Sequence, residues 1–105
     1  MYKFMVLVMV LVVVFGLIMS LDRAEAAVVV SWIYERFKGT AEIVETPFID
    51  INNLSSIKKD SIDKLYSLGI TNGTSLNTYS PNNHLEFYQV LLFAGRTIQA
   101  IKYQE

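Results

Sequence analysis

The first hydrophobic block of the chain runs from Phe4 to Met19, sixteen residues without a single charge. One lysine precedes the block, and Ala24 and Ala26 follow it as two small residues separated by one position. A positive start, an apolar stretch and such a pair of small residues are together typical of a bacterial signal peptide. The pattern predicts an export segment over residues 1–26, with cleavage directly after Ala26.

An uncleaved membrane anchor is the alternative for the same segment. Extended through Leu21, the apolar run reaches eighteen residues, about the length that crosses a bilayer as a helix. In both cases the remainder of the chain lies outside the cytoplasm, and we expect a secreted protein at the cell wall or cell surface. A membrane is expected as a partner only if the segment stays uncut.

Residues 27–47 predict a short N-terminal segment and linker ahead of the main domain. β-Branched and aromatic side chains dominate AVVVSWIYERFK, a composition that fits a strand or a buried helix equally well. We favour a helix from Ser31 to Lys38, which Gly39 ends. The residues from Thr40 to Pro47 are then expected to be extended, because proline disfavours helix in the residue before it.

Residues 48–105 predict a small, mostly α-helical module in which a loop separates two helices. A pair of serines can cap the first helix, from about Ser56 to Leu68. Gly69 then stands where a helix commonly ends in the left-handed conformation. Apolar residues at positions i, i+3 and i+4 give this helix one buried face: Ile62, Leu65 and Tyr66.

The second helix of this module is predicted from about Leu85 to Lys102, after a polar loop over residues 71–83. The turn pairs Asn72-Gly73 and Pro81-Asn82 lie in that loop. The apolar stripe of the helix consists of Leu85, Val90, Leu91, Ala94, Ile98 and Ile101. Three polar residues are expected to face water: Arg96, Gln99 and Lys102.

Composition and charge argue against several classes of function. The net charge is −1 without a basic stripe, which argues against nucleic acid as a partner, and the absence of cysteine excludes disulfides and thiol chemistry. His84 is the only histidine, and Lys59 accompanies the carboxylates of Asp60 and Asp63, so a water-exposed surface explains them better than a metal or acid–base site. We therefore expect no catalysis and no cofactor.

The opening of the main domain resembles the S-layer homology family. Phe48-Ile49-Asp50-Ile51 is similar to the F-x-D-V start of that module, after which the family has A-I-x-x-L-x-x-x-G-I-x-x-G. Five residues match this second pattern at the family's spacing: Ile62, Leu65, Gly69, Ile70 and Gly73.

The loop that follows extends the resemblance to about residue 99. The family's Y-x-D-G-T-F-x-P corresponds to Thr74-Ser75-Leu76-Asn77-Thr78-Tyr79-Ser80-Pro81. Asn77 replaces a glycine there, and we expect it to take a positive φ. Eight residues are predicted to hold the motif structurally: Phe48, Asp50, Ile62, Leu65, Gly69, Gly73, Tyr79 and Pro81.

The family's ligand-binding stretch is different in this chain. The resemblance implies T-R-A-E at the start of the last helix, where the threonine caps the helix and the arginine binds an acidic, ketal-pyruvylated wall sugar. The corresponding residues are Glu86, Phe87, Tyr88 and Gln89, and a neutral ring cannot form the bidentate pair that arginine makes with a carboxylate. The polysaccharide-binding candidates are therefore Lys58, Asn72, Gly73, Phe87 and Gln89.

Two readings of the aromatic pair Phe87 and Tyr88 lead to two functions. If the rings stack on a sugar, the module attaches to the cell wall through a secondary cell-wall polysaccharide or other S-layer modules. If they pack against protein, it is a protein-interaction module that has lost sugar binding. Because a single module has a small core, a homotrimer is a further expectation, and a decayed fragment of a longer surface protein is a third hypothesis.

Overall fold

Three helices make up the computed structural model, which describes residues 21–103. Helix α1 is Arg23–Lys38, α2 is Ser56–Ser67 and α3 is Phe87–Tyr103. No strand occurs within this range, and Asp22 and His84 form one isolated antiparallel bridge. The prediction of a small, mostly helical module is confirmed, whereas the apolar block that ends at Met19 lies outside the described residues.

Helix α1 begins eight residues earlier than the sequence predicted. Asp22 is its N-cap and forms a capping box with Glu25, which satisfies backbone N–H groups that a helix start leaves free. One wide face of α1 is buried against α2 and α3, so tertiary packing compensates for the low helix propensity of its valine run. The buried residues of α1 are Arg23, Ala24, Ala26, Ala27, Val30, Ser31 and Tyr34.

An extended segment joins α1 to α2, as predicted for the residues up to Pro47. Gly39 ends α1 at a φ of 86°, and the carboxylate of Glu35 accepts the Ala41 N–H at 2.8 Å. Phe48 and Ile51 then enter the core. The segment is therefore fixed at both ends although it contains no regular structure.

Helix α2 has the predicted cap and the predicted end. The Ser55 side chain accepts the Lys58 N–H, and Gly69 has a φ of 74°. The Ile70 N–H reaches back to the Leu65 carbonyl at 2.9 Å, as in a Schellman motif. Ile62 and Leu65 are fully buried, which agrees with the predicted apolar face.

The loop between α2 and α3 is held by one carboxylate. Asp50 accepts the N–H groups of Tyr79 and Ser80 at 2.9 and 2.8 Å. The expectation of a positive φ at Asn77 is wrong, because Ser80 takes it instead at 59°. The two bonds to Asp50 flank Ser80 and offset the strain of a left-handed non-glycine residue.

Gly73 lies where no side chain fits. Its φ is 84°, and a Cβ placed on it would lie 2.4 Å from the Phe48 ring and 2.5 Å from the Thr78 carbonyl oxygen. Phe48 in turn contacts the rings of Tyr66 and Tyr79 at centroid distances of 5.4 and 5.8 Å. Glycine at this position therefore allows the loop to close onto the aromatic part of the core.

Helix α3 differs from its predicted pattern in two respects. Leu91, which the predicted stripe places inside, is 43 % exposed, and Phe93 and Thr97 are buried instead. Arg96 was expected to face water, but it is half-buried and donates to the Ile70 carbonyl at 3.3 Å. The buried face of α3 is thus rotated toward the polar side of the predicted helix.

Candidate functional site

The start of α1 directs an arginine into the protein. The Asp22 carboxylate accepts the Glu25 N–H at 2.7 Å, and the Glu25 carboxylate accepts the Asp22 N–H at 3.0 Å. The backbone after the cap is also held in place, since the Arg23 N–H donates to the Asn83 carbonyl and the Ala24 N–H to the Pro81 carbonyl, both at 2.9 Å. Arg23 therefore occupies the first helical position at a fixed place beside the loop.

The guanidinium of Arg23 is sandwiched between backbone and aromatic rings. Its Nε–H donates to the Tyr79 carbonyl at 2.7 Å, and its Cζ lies 4.4 Å from the centroid of the Tyr79 ring. The Phe93 ring is 5.6 Å from the same carbon. The Tyr79 hydroxyl donates to the Arg23 carbonyl at 2.8 Å, so the two residues hold each other at both ends.

Burial keeps this tyrosine neutral. It raises the pKa of Tyr79 well above its usual range, although the positive charge of Arg23 works in the opposite direction. The hydroxyl is therefore protonated at neutral pH and donates its hydrogen bond to the Arg23 carbonyl. The contact positions the arginine without neutralising its charge.

Arg23 also lines a cleft of about 340 Å³. Helix α1 contributes this arginine, and the loop contributes one wall, which consists of Thr71, Asn72, Gly73 and Thr74. Helix α3 contributes the other wall, which consists of Tyr88, Gln89, Leu92, Phe93 and Arg96. The volume is near the lower end of the range for small-ligand sites, and the lining combines two cations with hydroxyls, an amide and aromatic rings.

The loop wall is rigid because its own polar groups are paired. Thr71 is 2 % exposed, and its hydroxyl accepts the Gly73 N–H at 3.0 Å. The Thr74 N–H donates to the Thr78 carbonyl at 2.9 Å, and the Thr74 and Ser80 hydroxyls are 2.7 Å apart. The exposed Asn72 side chain lies between these fixed points and is available to a ligand.

The two arginines of the cleft form no ion pair with an acidic side chain in the described part of the chain. Among residues 21–103, no carboxylate forms an ion pair with Arg23 or Arg96, whereas Lys59 pairs with Asp63 and Lys64 with Glu35. Arg23 is only 4 % exposed, and a buried charge without a counter-charge is unfavourable. Two arginines in one cleft are suited to bind a carboxylate or another anionic group.

The structure brings together three of the five predicted binding residues. Asn72, Gly73 and Gln89 line the cleft. Lys58 and Phe87 do not line it: Lys58 lies in the first turn of α2, and Phe87 is 54 % exposed at the start of α3. The Gln89 side chain accepts the Glu86 N–H at 2.9 Å, so part of its hydrogen-bonding capacity is used within the helix.

The sequence analysis missed Arg23 and Arg96, and a signal for the first was present. Asp22-Arg23-Ala24-Glu25 has a capping residue followed by R-A-E, the order that the family has in its T-R-A-E stretch. The family's spacing points to residues 86–89 for that stretch, and Ala24 and Ala26 also fit the pattern of an export signal. Arg96 was expected to face water, and only the tertiary fold brings it to the cleft.

A comparison with protein-family models supports the resemblance to the S-layer homology family. Residues 47–85 match the family model described as S-layer homology domain. The match supports an S-layer homology domain in this part of the chain. Domains of this family are non-catalytic modules of cell-wall and S-layer attachment, and they imply association with the cell surface. Both arginines of the cleft lie outside the matched residues. A search of curated proteins and a search of solved structures each gave no match.

The described helices differ from membrane-spanning segments. Within residues 21–103 no helix is both long and apolar enough to cross a bilayer. The same range contains no group of three or more histidine, aspartate or glutamate side chains close enough to hold a metal ion. His84 contributes its backbone to the bridge with Asp22.

Proposed function

We propose that the S-layer homology domain attaches its protein to the cell wall by binding an acidic group of a secondary cell-wall polysaccharide in the cleft between α1, the 71–74 loop and α3. The observation that carries the proposal is Arg23, which is buried beside the cleft and forms no ion pair with a carboxylate among residues 21–103. An anionic ligand group would supply the missing counter-charge. No chemical step is required, because retention of the polymer is the function.

Each wall of the cleft has a role in this binding. The Arg23 guanidinium, held by the Tyr79 carbonyl, and the Arg96 guanidinium, held by the Ile70 carbonyl, bind the acidic group from two sides. Tyr88, 58 % exposed, offers a ring face to the apolar side of a sugar, and Asn72 offers an amide to its hydroxyls. Arg23 thereby takes the role that the family assigns to the arginine missing at Phe87.

Co-sedimentation with cell-wall sacculi tests the proposal. The full chain, solubilised in mild detergent, is mixed with sacculi before and after acid extraction of the secondary polymer. We expect the chain to pellet with intact sacculi and to stay in the supernatant with extracted ones. Failure of the folded chain to pellet with intact sacculi would contradict wall attachment.

The matched variants are Arg96→Gln and Arg36→Gln. Each removes one positive charge, but Arg36 is exposed in the last turn of α1 and lies outside the cleft. We expect Arg96→Gln to weaken sedimentation and Arg36→Gln to leave it unchanged. Equal losses in both would indicate nonspecific charge attraction and would count against the cleft.

A protein-interaction role is the second candidate, and one surface of α3 favours it. Phe87, Tyr88, Leu91 and Leu92 are between 43 and 58 % exposed and lie at helical spacing on adjacent turns. Such an apolar patch is typical of a protein-binding surface. Its occupant would be another S-layer module or two further copies of this chain in a homotrimer.

Sedimentation velocity tests this candidate with Leu91→Ser. This residue borders an open groove on α3 and does not line the arginine cleft. If α3 mediates association, the wild-type chain sediments as an oligomer and the variant as a smaller species with unchanged wall binding. A monomeric wild-type chain would remove the homotrimer from consideration.

A further inference from the structure

The residues around the predicted cleavage position belong to the interior of the domain. Ala24, Ala26 and Ala27 are 1 %, 3 % and 0 % exposed, and all three are part of the main hydrophobic core. Signal peptidase recognises small residues of this kind in an accessible chain. In the folded domain the Ala24–Ala26 pair instead forms the first turn of α1 and packs against other core residues.

The backbone at residues 21–24 is hydrogen-bonded to residues 81–85, which lead into α3. The Leu21 carbonyl accepts the Leu85 N–H at 3.1 Å, and Asp22 pairs with His84 in the isolated bridge. The bonds from Arg23 to Asn83 and from Ala24 to Pro81 continue this series. Residues 21–26 therefore close the loop that leads into α3.

Cleavage after Ala26 would damage this arrangement in three ways. It would remove the Asp22 capping box and the Arg23 contacts with Tyr79. It would also create a new ammonium group on Ala27, whose residue is completely buried, and burial of an unpaired charge is strongly unfavourable. The cleaved product would lack the only arginine that α1 contributes to the cleft.

The apolar block offers no alternative position of the same kind. Small residues are sparse between Phe4 and Leu21, where Gly16 and Ser20 are separated by three positions and neither has a small partner two residues before it. The Ala24–Ala26 pair is thus the only small-x-small pair near the end of the block. If the chain is not cut there, the block stays attached.

We propose that the export segment is not removed and that it serves as a permanent membrane anchor. Only three residues separate Met19, the last residue of the apolar block, from Arg23 at the start of α1, so an anchored chain would keep the arginine cleft close to the outer face of the membrane. The partner of this end of the protein is a lipid bilayer, while the cleft remains open to the wall. The burial of Ala24, Ala26 and Ala27 does not depend on which ligand the cleft binds.

The full chain, with an affinity tag after Glu105, tests this proposal in a Gram-positive secretion host. Membranes are washed with alkaline carbonate, and the intact mass of the tagged protein is measured in membrane and medium. We expect the mass of the uncut chain in the washed membrane fraction. A product in the medium that begins at Ala27, or at any other internal residue, would overturn the proposal.

A chain with Ala-Gln-Ala inserted between Ser20 and Leu21 is the matched control. The insertion supplies the missing small-x-small pair while leaving the capping box and core intact. We expect this variant to be cut after the second inserted alanine, directly before Leu21, and released in folded form. Release of the wild-type chain at the same rate as the control would also contradict retention, whatever the outcome of the wall-binding experiments.

Discussion

The starts of α1 and α3 share one capping hydrogen bond but carry different side chains at the next position. In α1 the Asp22 N–H donates to the Glu25 side chain at 3.0 Å, and in α3 the Glu86 N–H donates to the Gln89 side chain at 2.9 Å. The following residue is an arginine that is 4 % exposed in the first helix. In the second helix it is Phe87, which is 54 % exposed.

The difference shows that a helix cap alone does not make a binding site. Arg23 is functional in our account because Tyr79 and the loop hold it in a cleft, whereas no such wall surrounds Phe87. In the proposed function, the first helix start binds the anionic group of the ligand. The second presents an apolar surface suited to another protein.

The largest expected effect comes from Arg23→Gln compared with Phe87→Gln. Loss of a bidentate, charge-assisted contact weakens binding by about 2–3 kcal/mol, or roughly 30- to 150-fold in the dissociation constant for wall polysaccharide. Phe87→Gln should change this constant by less than about threefold, since Phe87 does not line the cleft. Isothermal titration of the two variants measures the difference.

Two controls make this comparison sharper. Thermal unfolding shows whether Arg23→Gln is still folded, because the substitution also removes the bond to the Tyr79 carbonyl. The double variant with Phe87→Arg restores the charge at the second helix start and should not restore binding. Recovery in the double variant would mean that the ligand contacts the start of α3.

Tyr79→Phe is expected to have the largest effect on stability among conservative changes. It leaves the buried Arg23 carbonyl without its 2.8 Å donor, a loss of about 1–2 kcal/mol in the free energy of unfolding. Tyr66→Phe is the control, because Tyr66 also packs on the Phe48 ring but is only half-buried. Urea unfolding should place Tyr66→Phe within about 0.5 kcal/mol of the wild type; equal losses would argue against the hydroxyl bond.

The side chains of Asp22 and Glu86 should differ in their contribution to the free energy of unfolding. Asp22→Ala removes a side chain that accepts the Glu25 N–H at 2.7 Å and is expected to lower the free energy of unfolding by about 1 kcal/mol. Glu86→Ala removes an exposed side chain and should change it by less than about 0.5 kcal/mol. Urea titrations of both variants under one condition provide the test, and a larger loss for Glu86→Ala would contradict the capping role of the Asp22 side chain.

The smallest expected effect is a pH dependence at the far end of α1. Burial alone would raise the pKa of Glu35, but the Ala41 N–H and Lys64 outweigh it and lower the pKa from 4.5. A lowered folded-state pKa gives stability that is present above the unfolded value and lost as pH falls through the folded value. Glu35→Gln should thus be less stable at pH 7 by about 1 kcal/mol.

The free energies of unfolding of Glu35→Gln and the wild type must be compared at several pH values. The difference between variant and wild type should shrink as pH falls below 4.5, because the wild-type carboxylate becomes protonated there. Chemical unfolding at pH 7 and at lower pH measures both values. A difference that stays constant with pH would show that the charge of Glu35 does not stabilise the junction between α1 and the extended segment.

Local signals in the sequence predicted one half of the fold well. The cap at Ser55 and the left-handed Gly69 of α2 depend on neighbouring residues, so both follow from the sequence alone. The start of α1 at Arg23 was not predicted, because the alanines that follow it also satisfy the pattern of an export signal. A valine run after them lowered the apparent helix propensity further.

The cleft could not be predicted from local pattern because its walls are distant in the chain. Arg23 and Tyr79 are 56 positions apart, and Arg96 reaches the Ile70 carbonyl across 26. The family resemblance did identify Asn72 and Gly73 on the loop wall. The resemblance also placed the family's binding arginine at the position of Phe87. In the structure, α1 instead supplies an arginine from outside the matched residues.

The side-chain NMR signals of the arginines test the central claim most directly. The chain has three arginines, two in the cleft and Arg36 on the exposed surface of α1 as an internal control. On titration with purified wall polysaccharide, we predict that the Nε–Hε signals of Arg23 and Arg96 shift together while that of Arg36 stays in place. Saturable binding of the polysaccharide with Arg23 and Arg96 unmoved would contradict the account.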